Sequence, residues 1–223
     1  MSTFILQMRR KEFTGRFARE NCPIPPFTLG CVSEPRRAKG LCAWARGLPV
    51  DPKVAFVADM LSELIRVDTS NPPGNETPAA KLIAEALSGA GVEYKLLESA
   101  PNRGSIVAWA ESNEPGPSLL LLSHLDVVPA NPEEWSVDPF SGLVKDGFIW
   151  GRGALDDKLS VAVMLRVFLD FVESKRFKGR LIYAATADEE MGGRMGAGWL
   201  VENHPDLVKA EYVLLLFCPH WLP

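Results

Sequence analysis

The chain has 223 residues, 47% apolar and 23% charged, the balance of a soluble globular protein of one domain or one and a half. A net charge of −4 gives no reason to expect nucleic acid or an anionic membrane as a partner. No apolar run approaches the roughly 20 residues needed to cross a bilayer.

Charge is unevenly spread. Residues 1–50 carry nine Lys/Arg against three acids, a balance of +6, which leaves the remainder at −10. This basic stretch lacks the basic-then-apolar pattern of a secretory signal, and Pro23, Pro25, Pro26, Gly30 and Pro35 interrupt any long helix. It is expected to be a poorly ordered extension, with residues 51–223 as the folded part. Cys22, Cys31 and Cys42 have no CxxC spacing and Cys218 is far away, so all four are read as reduced thiols of a cytoplasmic protein.

From Pro49 onward the pattern becomes regular. Residues 52–67 place Val57, Met60, Leu61, Leu64 and Ile65 on one helical face. "TSNPPGNE" (69–76) reads as a loop, because its paired prolines and Gly74 forbid regular structure. A second helix follows, with Thr77 as N-cap, Pro78 at the first helical position and Gly91 as the stop. Strands are expected near 92–98 and 105–111. In "PSLLLLSHLDVVP" (117–129) the unbroken run Leu119 to Leu122 predicts a strand covered on both faces. "DPFSGLVKDGFIWGRG" predicts a hairpin turning at Asp146-Gly147. An amphipathic helix (159–175), a buried strand (179–187), a helix in "GAGWLVENH" and a strand (210–217) complete the series. Strands alternating with helices predict an α/β layered domain with a mostly parallel central sheet flanked by helices. In such sheets ligands gather beyond the carboxyl ends of the strands.

Three polar clusters can reach that edge. His124 and Asp126 follow one buried strand, Asp188, Glu189 and Glu190 follow another, and Asp156 and Asp157 precede the long helix. Singly, each has a structural explanation: a hydrogen-bonded histidine, a helix cap, or acids at the positive end of a helix dipole. Together, five acids and an imidazole on one edge need positive charge, and only Arg152, Lys158 and Arg194 are near in sequence. A metal is the economical counter-charge, and the residue types suit zinc. Asp126 is spaced to serve as a partner for the other ring nitrogen of His124. Of the adjacent pair, one glutamate can bind metal while the other serves as general base.

"SHLDVVP", "GRGALDDK" and "TADEEMGG" resemble the three metal-site motifs of the aminoacylase/carboxypeptidase family of co-catalytic zinc hydrolases. That family includes acetylornithine deacetylase, succinyl-diaminopimelate desuccinylase, carboxypeptidase G and carboxypeptidase S. "DTSNPPGNE", "WSVDPFSG" and Gly192, Gly193 and Gly196 resemble its other signatures, and the likeness covers roughly residues 52–213. It implies two zinc ions, with cobalt or manganese as substitutes, held by His124, Asp156 and Glu190. Asp156 would bridge them, and the Asp156–Asp157 peptide would be cis. Asp126 would orient His124. Glu189 would be the general base in attack of water on the amide carbonyl of a small peptide or N-acyl amino acid.

The resemblance also implies what is missing. The family supplies a further carboxylate ligand after the strand matching 210–217 and a distant final histidine, but "EYVLLLFCPHWLP" has no acid after Glu211. Two protein ligands per metal falls below the three usual for catalytic zinc. Cys218 and His220 are chemically able to bind zinc near that strand end. The smaller domain that mediates dimerisation and helps bind the substrate is absent, so a family-type dimer is not expected. An incomplete catalytic domain with impaired activity, and an exposed apolar edge on its sheet, is the resulting expectation. The alternatives are a non-catalytic remnant or binding module that keeps the fold, and a neighbouring family of zinc aminopeptidases.

Overall fold

The computed structural model describes residues 5–7 and 50–216. The expectations for the rest of the basic extension, for the four cysteines and for Cys218 and His220 as metal ligands therefore lie outside the described residues.

A short strand, β1 (Ile5–Gln7), precedes α1 (Pro52–Arg66). The carboxylate of Asp51 accepts from the Lys53 N–H and Pro52 occupies the first turn, so α1 starts where its orphan donors are met. Helix α2 (Thr77–Gly89) begins one residue earlier than expected, with Glu76 at the N-cap. The Thr77 hydroxyl is engaged elsewhere, donating to Glu98. Gly91, at φ +67°, ends this segment as expected.

Strands β2 (Tyr94–Glu98) and β3 (Gly104–Glu111) pair antiparallel, with Glu98 opposite Gly104. Next come β4 (Ser118–His124), a 3₁₀ turn at Pro132–Glu134, and the hairpin of β5 (Leu143–Lys145) and β6 (Phe148–Trp150). Lys145 faces Phe148 across Asp146 and Gly147, both with positive φ, so the two-residue turn is of the primed kind that the Asp-Gly pair predicted. Strand β1 adds to this hairpin beside β6. The long helix α3 (Lys158–Ser174) leads to β7 (Arg180–Thr186), two short helices, α4 (Ala197–Asn203) and α5 (Pro205–Val208), and finally β8 (Tyr212–Leu215).

The central sheet has the order β2-β3-β7-β4-β8. Strands β7, β4 and β8 are parallel neighbours, and only β3 runs against the other four. Alternate residues of β4 serve opposite layers. Leu119 and Leu121 pack with Leu64, Ile83, Leu165, Phe168 and Tyr183 beneath α1, α2 and α3, whereas Leu120 and Leu122 pack with Ile182, Leu200 and Val208 beneath α4 and α5. Each fully buried Leu, Ile or Phe contributes about 1.5–3 kcal/mol relative to exposure, which is what holds the two helical layers to the sheet.

The two strands that flank β4 fare differently. Leu181 to Thr186 of β7 are all buried, while β8, equally apolar in "YVLL", is exposed at every position, from 45% at Leu214 to 63% at Tyr212. The edge with exposed apolar surface thus runs along β8. No helix among the described residues is long and apolar enough to cross a membrane.

Candidate metal centre

Parallel pairing of β4 with β7 sets His124 opposite Thr186, so both chains emerge side by side at the carboxyl edge of the sheet. His124 is the last residue of β4, and Asp126 lies two residues beyond. The 3₁₀ turn Glu189–Met191 follows β7, and Asp156 and Asp157 lie immediately before α3. One ligand atom each from His124, Asp156 and Glu190 can be chosen so that all three lie within 4.8 Å of one another. His124 is buried, Glu190 is partly buried, and the Asp156 side chain is 45% exposed.

The His124 ring sits between acids. Its Nδ1 lies 3.1 Å from the Asp126 carbonyl oxygen and 3.3 Å from Asp126 Oδ1. Its Nε2 lies 3.2 Å from Asp156 Oδ1 and 3.7 Å from Glu189 Oε2. Burial opposes the charged ring, but hydrogen bonds to Asp126 and Asp156 and the charge of Asp157 outweigh it and push the imidazole up to about 11. The donor set gathered here, one imidazole nitrogen and carboxylate oxygens, suits a divalent cation.

Asp126 is wholly buried and is the hub of the centre. Its Oδ1 accepts from the Glu189 N–H at 3.0 Å, and its Oδ2 from the Glu190 N–H at 3.1 Å and from Asn71 Nδ2 at 2.8 Å. Burial would raise its carboxyl, but the bonds from His124 and Asn71 hold it below the ordinary value. The acids of "ADEEMGG" consequently do not open an α-helix. They form a single 3₁₀ turn whose first donors are capped by an aspartate from another segment, and Gly192 and Gly193, both at positive φ, end it before α4 begins at Ala197.

Asp157 stands at the N-cap of α3 but makes no side-chain cap bond; its Oδ2 accepts instead from the His124 N–H at 3.1 Å. Burial raises it to about 6 against the pull of Ser160 and His124. The Asp156–Asp157 peptide is cis. Burial also raises Glu190, with Asp156, Asp126 and Glu189 adding to the effect against His124. Glu189, whose side chain is 56% exposed, faces outward beside these groups.

Of the three cations near in sequence, two contribute little here, and a further one enters from a distant segment. Lys158 is spent structurally: it is fully buried and donates to the carbonyls of Leu64 and Val67, and burial lowers it to about 7. Arg194 is exposed. The cation that does enter is Arg103, from the loop between β2 and β3, whose Nη2 lies 2.6 Å from Asp188 Oδ1 and 3.0 Å from Glu76 Oε1. Neither Glu76 nor Asn71 was identifiable as a functional residue from spacing. The counter-charge argument for a metal survives for the outer acids, Asp156, Glu189 and Glu190, which Arg103 does not pair with.

Beside the trio opens a cleft of about 300 Å³ lined by Val128, Trp135, Arg152, Leu155, Asp156 and Glu190. The Arg152 guanidinium lies over the Trp135 ring, 5.3 Å from its centroid. Burial lowers Arg152, while Glu190 and Asp156 favour its charge. A cleft with apolar walls, a cation and two of the three metal-competent side chains, Asp156 and Glu190, in its lining has the make-up of a small-molecule site.

Residues 120–222 match the family described as Peptidase family M20/M25/M40. Succinyl-diaminopimelate desuccinylase 2 of Ruegeria sp. (strain TM1040) is 32% identical over 154 residues, covering 69% of this chain and 37% of that protein. The N-fatty-acyl-amino acid synthase/hydrolase PM20D1 of Xenopus tropicalis is 45% identical over 98 residues, covering 43% of this chain and 19% of that protein. The chain thus spans 37% of the length of the first of these relatives and 19% of the second. Among solved structures, an M20 family metallo-carboxypeptidase from Sulfolobus solfataricus superimposes with a TM-score of 0.63 at 23% identity, over 74% of this chain and 37% of that one. Human carnosine dipeptidase 1 does so with a TM-score of 0.56 at 21% identity, over 72% and 38%. These two likenesses bear on the fold, which they share.

Proposed function

We propose that this chain, whose residues 120–222 match Peptidase family M20/M25/M40, supplies the metal centre of a hydrolase cleaving the amide bond of N-acyl amino acids or short peptides. One observation carries the reading: His124, Asp156 and Glu190, from three separate segments, bring ligand atoms within 4.8 Å of one another at the sheet's carboxyl edge. These three would hold the metal. A divalent cation bound there polarises the amide carbonyl and lowers the pKa of water. Zinc is the identity that imidazole and carboxylate donors suit, and a pair of such ions would be the finer form of the proposal.

The chain's own groups divide the remaining work. Asp126 fixes the ring of His124 and the two backbone N–H groups of the Glu189–Glu190 turn, so one residue sets the orientation of both ligand-bearing segments. Glu189 is the general base. Its carboxylate takes a proton from the attacking water, the water oxygen bonds to the amide carbon, and the same proton passes to the departing amine nitrogen as the C–N bond breaks. The names of the two relatives support the substrate class, since succinyl-diaminopimelate and an N-fatty-acyl amino acid are both acylated amines. The cleft walled by Trp135, Val128 and Leu155, with Arg152 inside it, is the proposed seat of the substrate.

Assay of the full chain with zinc against a panel of N-acyl amino acids and dipeptides tests this. Turnover should appear, and Glu189→Gln should lower kcat by about 10²–10⁴-fold while bound metal stays the same. Equal turnover in the variant would remove Glu189 as the base. No turnover by metal-loaded wild-type chain on any member of the panel would overturn the hydrolase.

A further inference from the structure

We propose that Arg103 is a positioning residue for the metal centre, and that the loop "TSNPPGNE" serves to cradle it. The inference rests on the metal reading above and concerns how the centre is held. It gives a role to a motif that sequence alone marked only as a turn.

The cradle is built from one side of the guanidinium to the other. Nη1 donates to Asn71 Oδ1 at 3.1 Å and to the Pro73 carbonyl at 2.6 Å. Nη2 meets Asp188 and Glu76. Gly74 lies against the same group: a Cβ built there would fall 2.1 Å from Nη1 and 2.3 Å from Cζ, and its φ of +86° is one that other residues rarely adopt. Loop residues 71, 73, 74 and 76 thus all face this one side chain, which is only 7% exposed.

The link to the centre runs through Asn71. An amide has an acceptor end and a donor end, and which end faces a neighbour decides whether a bond forms at all. Arg103 can only donate, so its contact with Asn71 Oδ1 fixes the amide with Nδ2 directed at Asp126 Oδ2, 2.8 Å away, and at Asp188 Oδ1, 3.2 Å away. Asp126 in turn holds His124 and the N–H groups of Glu189 and Glu190. Asp188, gripped by Arg103 on Oδ1, accepts the Met195 N–H on Oδ2 at 2.9 Å, which closes the far side of the loop that carries both glutamates. One guanidinium therefore locks the two supports on which the ligand-bearing segments rest. A purely structural ion pair would need only Glu76 and Asp188; the bond to Asn71 adds the connection to the centre.

Cobalt(II) titration of the full chain, followed by its visible absorption, tests the inference. Arg103→Lys keeps a buried cation but lacks the planar fork that spans Asn71, Asp188 and Glu76. Asn71→Ala leaves Arg103 with both acids and the Pro73 carbonyl and removes the amide that links it to Asp126 and Asp188. Both variants, checked for folding by circular dichroism, should bind cobalt about 10–100-fold more weakly and show an altered spectrum at saturation. Should Arg103→Lys fail to fold, Asn71→Ala decides. Folded variants with wild-type cobalt affinity and spectrum would overturn the positioning role while leaving the metal reading intact. Absence of cobalt binding by the wild-type chain would instead overturn the metal reading itself.

Discussion

Behind the candidate ligands the polar groups are buried and bonded to one another; in front of them they are half exposed and open onto a cleft. The inner layer of Asn71, Glu76, Arg103, Asp126 and Asp188 has no member more than 6% exposed. The outer layer of Asp156, Glu189 and Glu190 keeps its carboxylates at or near the surface. The same chemical groups do opposite things in the two layers. Inside, the carboxylates of Asp126 and Asp188 are fixed acceptors for N–H groups and a guanidinium, and Glu76 is ion-paired to the same guanidinium; outside, the carboxylates crowd one imidazole with negative charge that a cation would neutralise. The inner layer should therefore govern folding and orientation, and the outer layer should govern ligand binding with little effect on stability.

The sharpest way to break that division is to remove the inner cation. Arg103→Met strands Glu76 and Asp188 as buried acids and should destabilise the chain by about 3–5 kcal/mol in urea unfolding. A loss within about 0.5 kcal/mol would mean that the inner layer is not structural at all.

A smaller effect is expected from pH. Burial raises Glu76 from its ordinary 4.5 to about 7, against the pull of Arg103. Between those values the folded chain binds this proton and the unfolded chain does not. The stability contributed by Glu76 is thus fully present below pH 4.5 and is lost as pH rises through about 7. Glu76→Gln should flatten this decline, on the order of 1–3 kcal/mol between about pH 5 and about pH 8. Parallel stability curves for the two proteins would show that Glu76 is not the group involved.

The contrast between layers also explains what could be read from the sequence. Local patterns were legible: the Asp146-Gly147 hairpin, the two-faced run Leu119 to Leu122 and the helical periodicity of 52–67 each depend on neighbours a few residues away. The outer acids were legible as clusters, because chain order places each at a strand end or helix start. Arg103 was not, since its partners lie 32 and 85 residues away and meet it only through the register of β2, β3 and β7. The trans-capping of the Glu189–Glu190 turn by Asp126 was hidden for the same reason: 63 and 64 residues separate donor from acceptor. Apolarity alone also failed to separate β7 from β8. Both segments are apolar, but β7 has helices and sheet on every side, whereas β8 lies at the sheet's edge and is exposed.

The smallest stability change, and the most direct test, belongs to the outer layer. Asp156→Asn removes one half-exposed carboxylate and should alter stability by no more than about 1 kcal/mol. Equilibrium dialysis against zinc then addresses the central claim that His124, Asp156 and Glu190 form a metal centre. The account predicts about one equivalent or more bound by the wild-type chain, and affinity lowered at least about tenfold in Asp156→Asn. Less than about half an equivalent in the wild-type chain, or binding unchanged by the substitution, would contradict it.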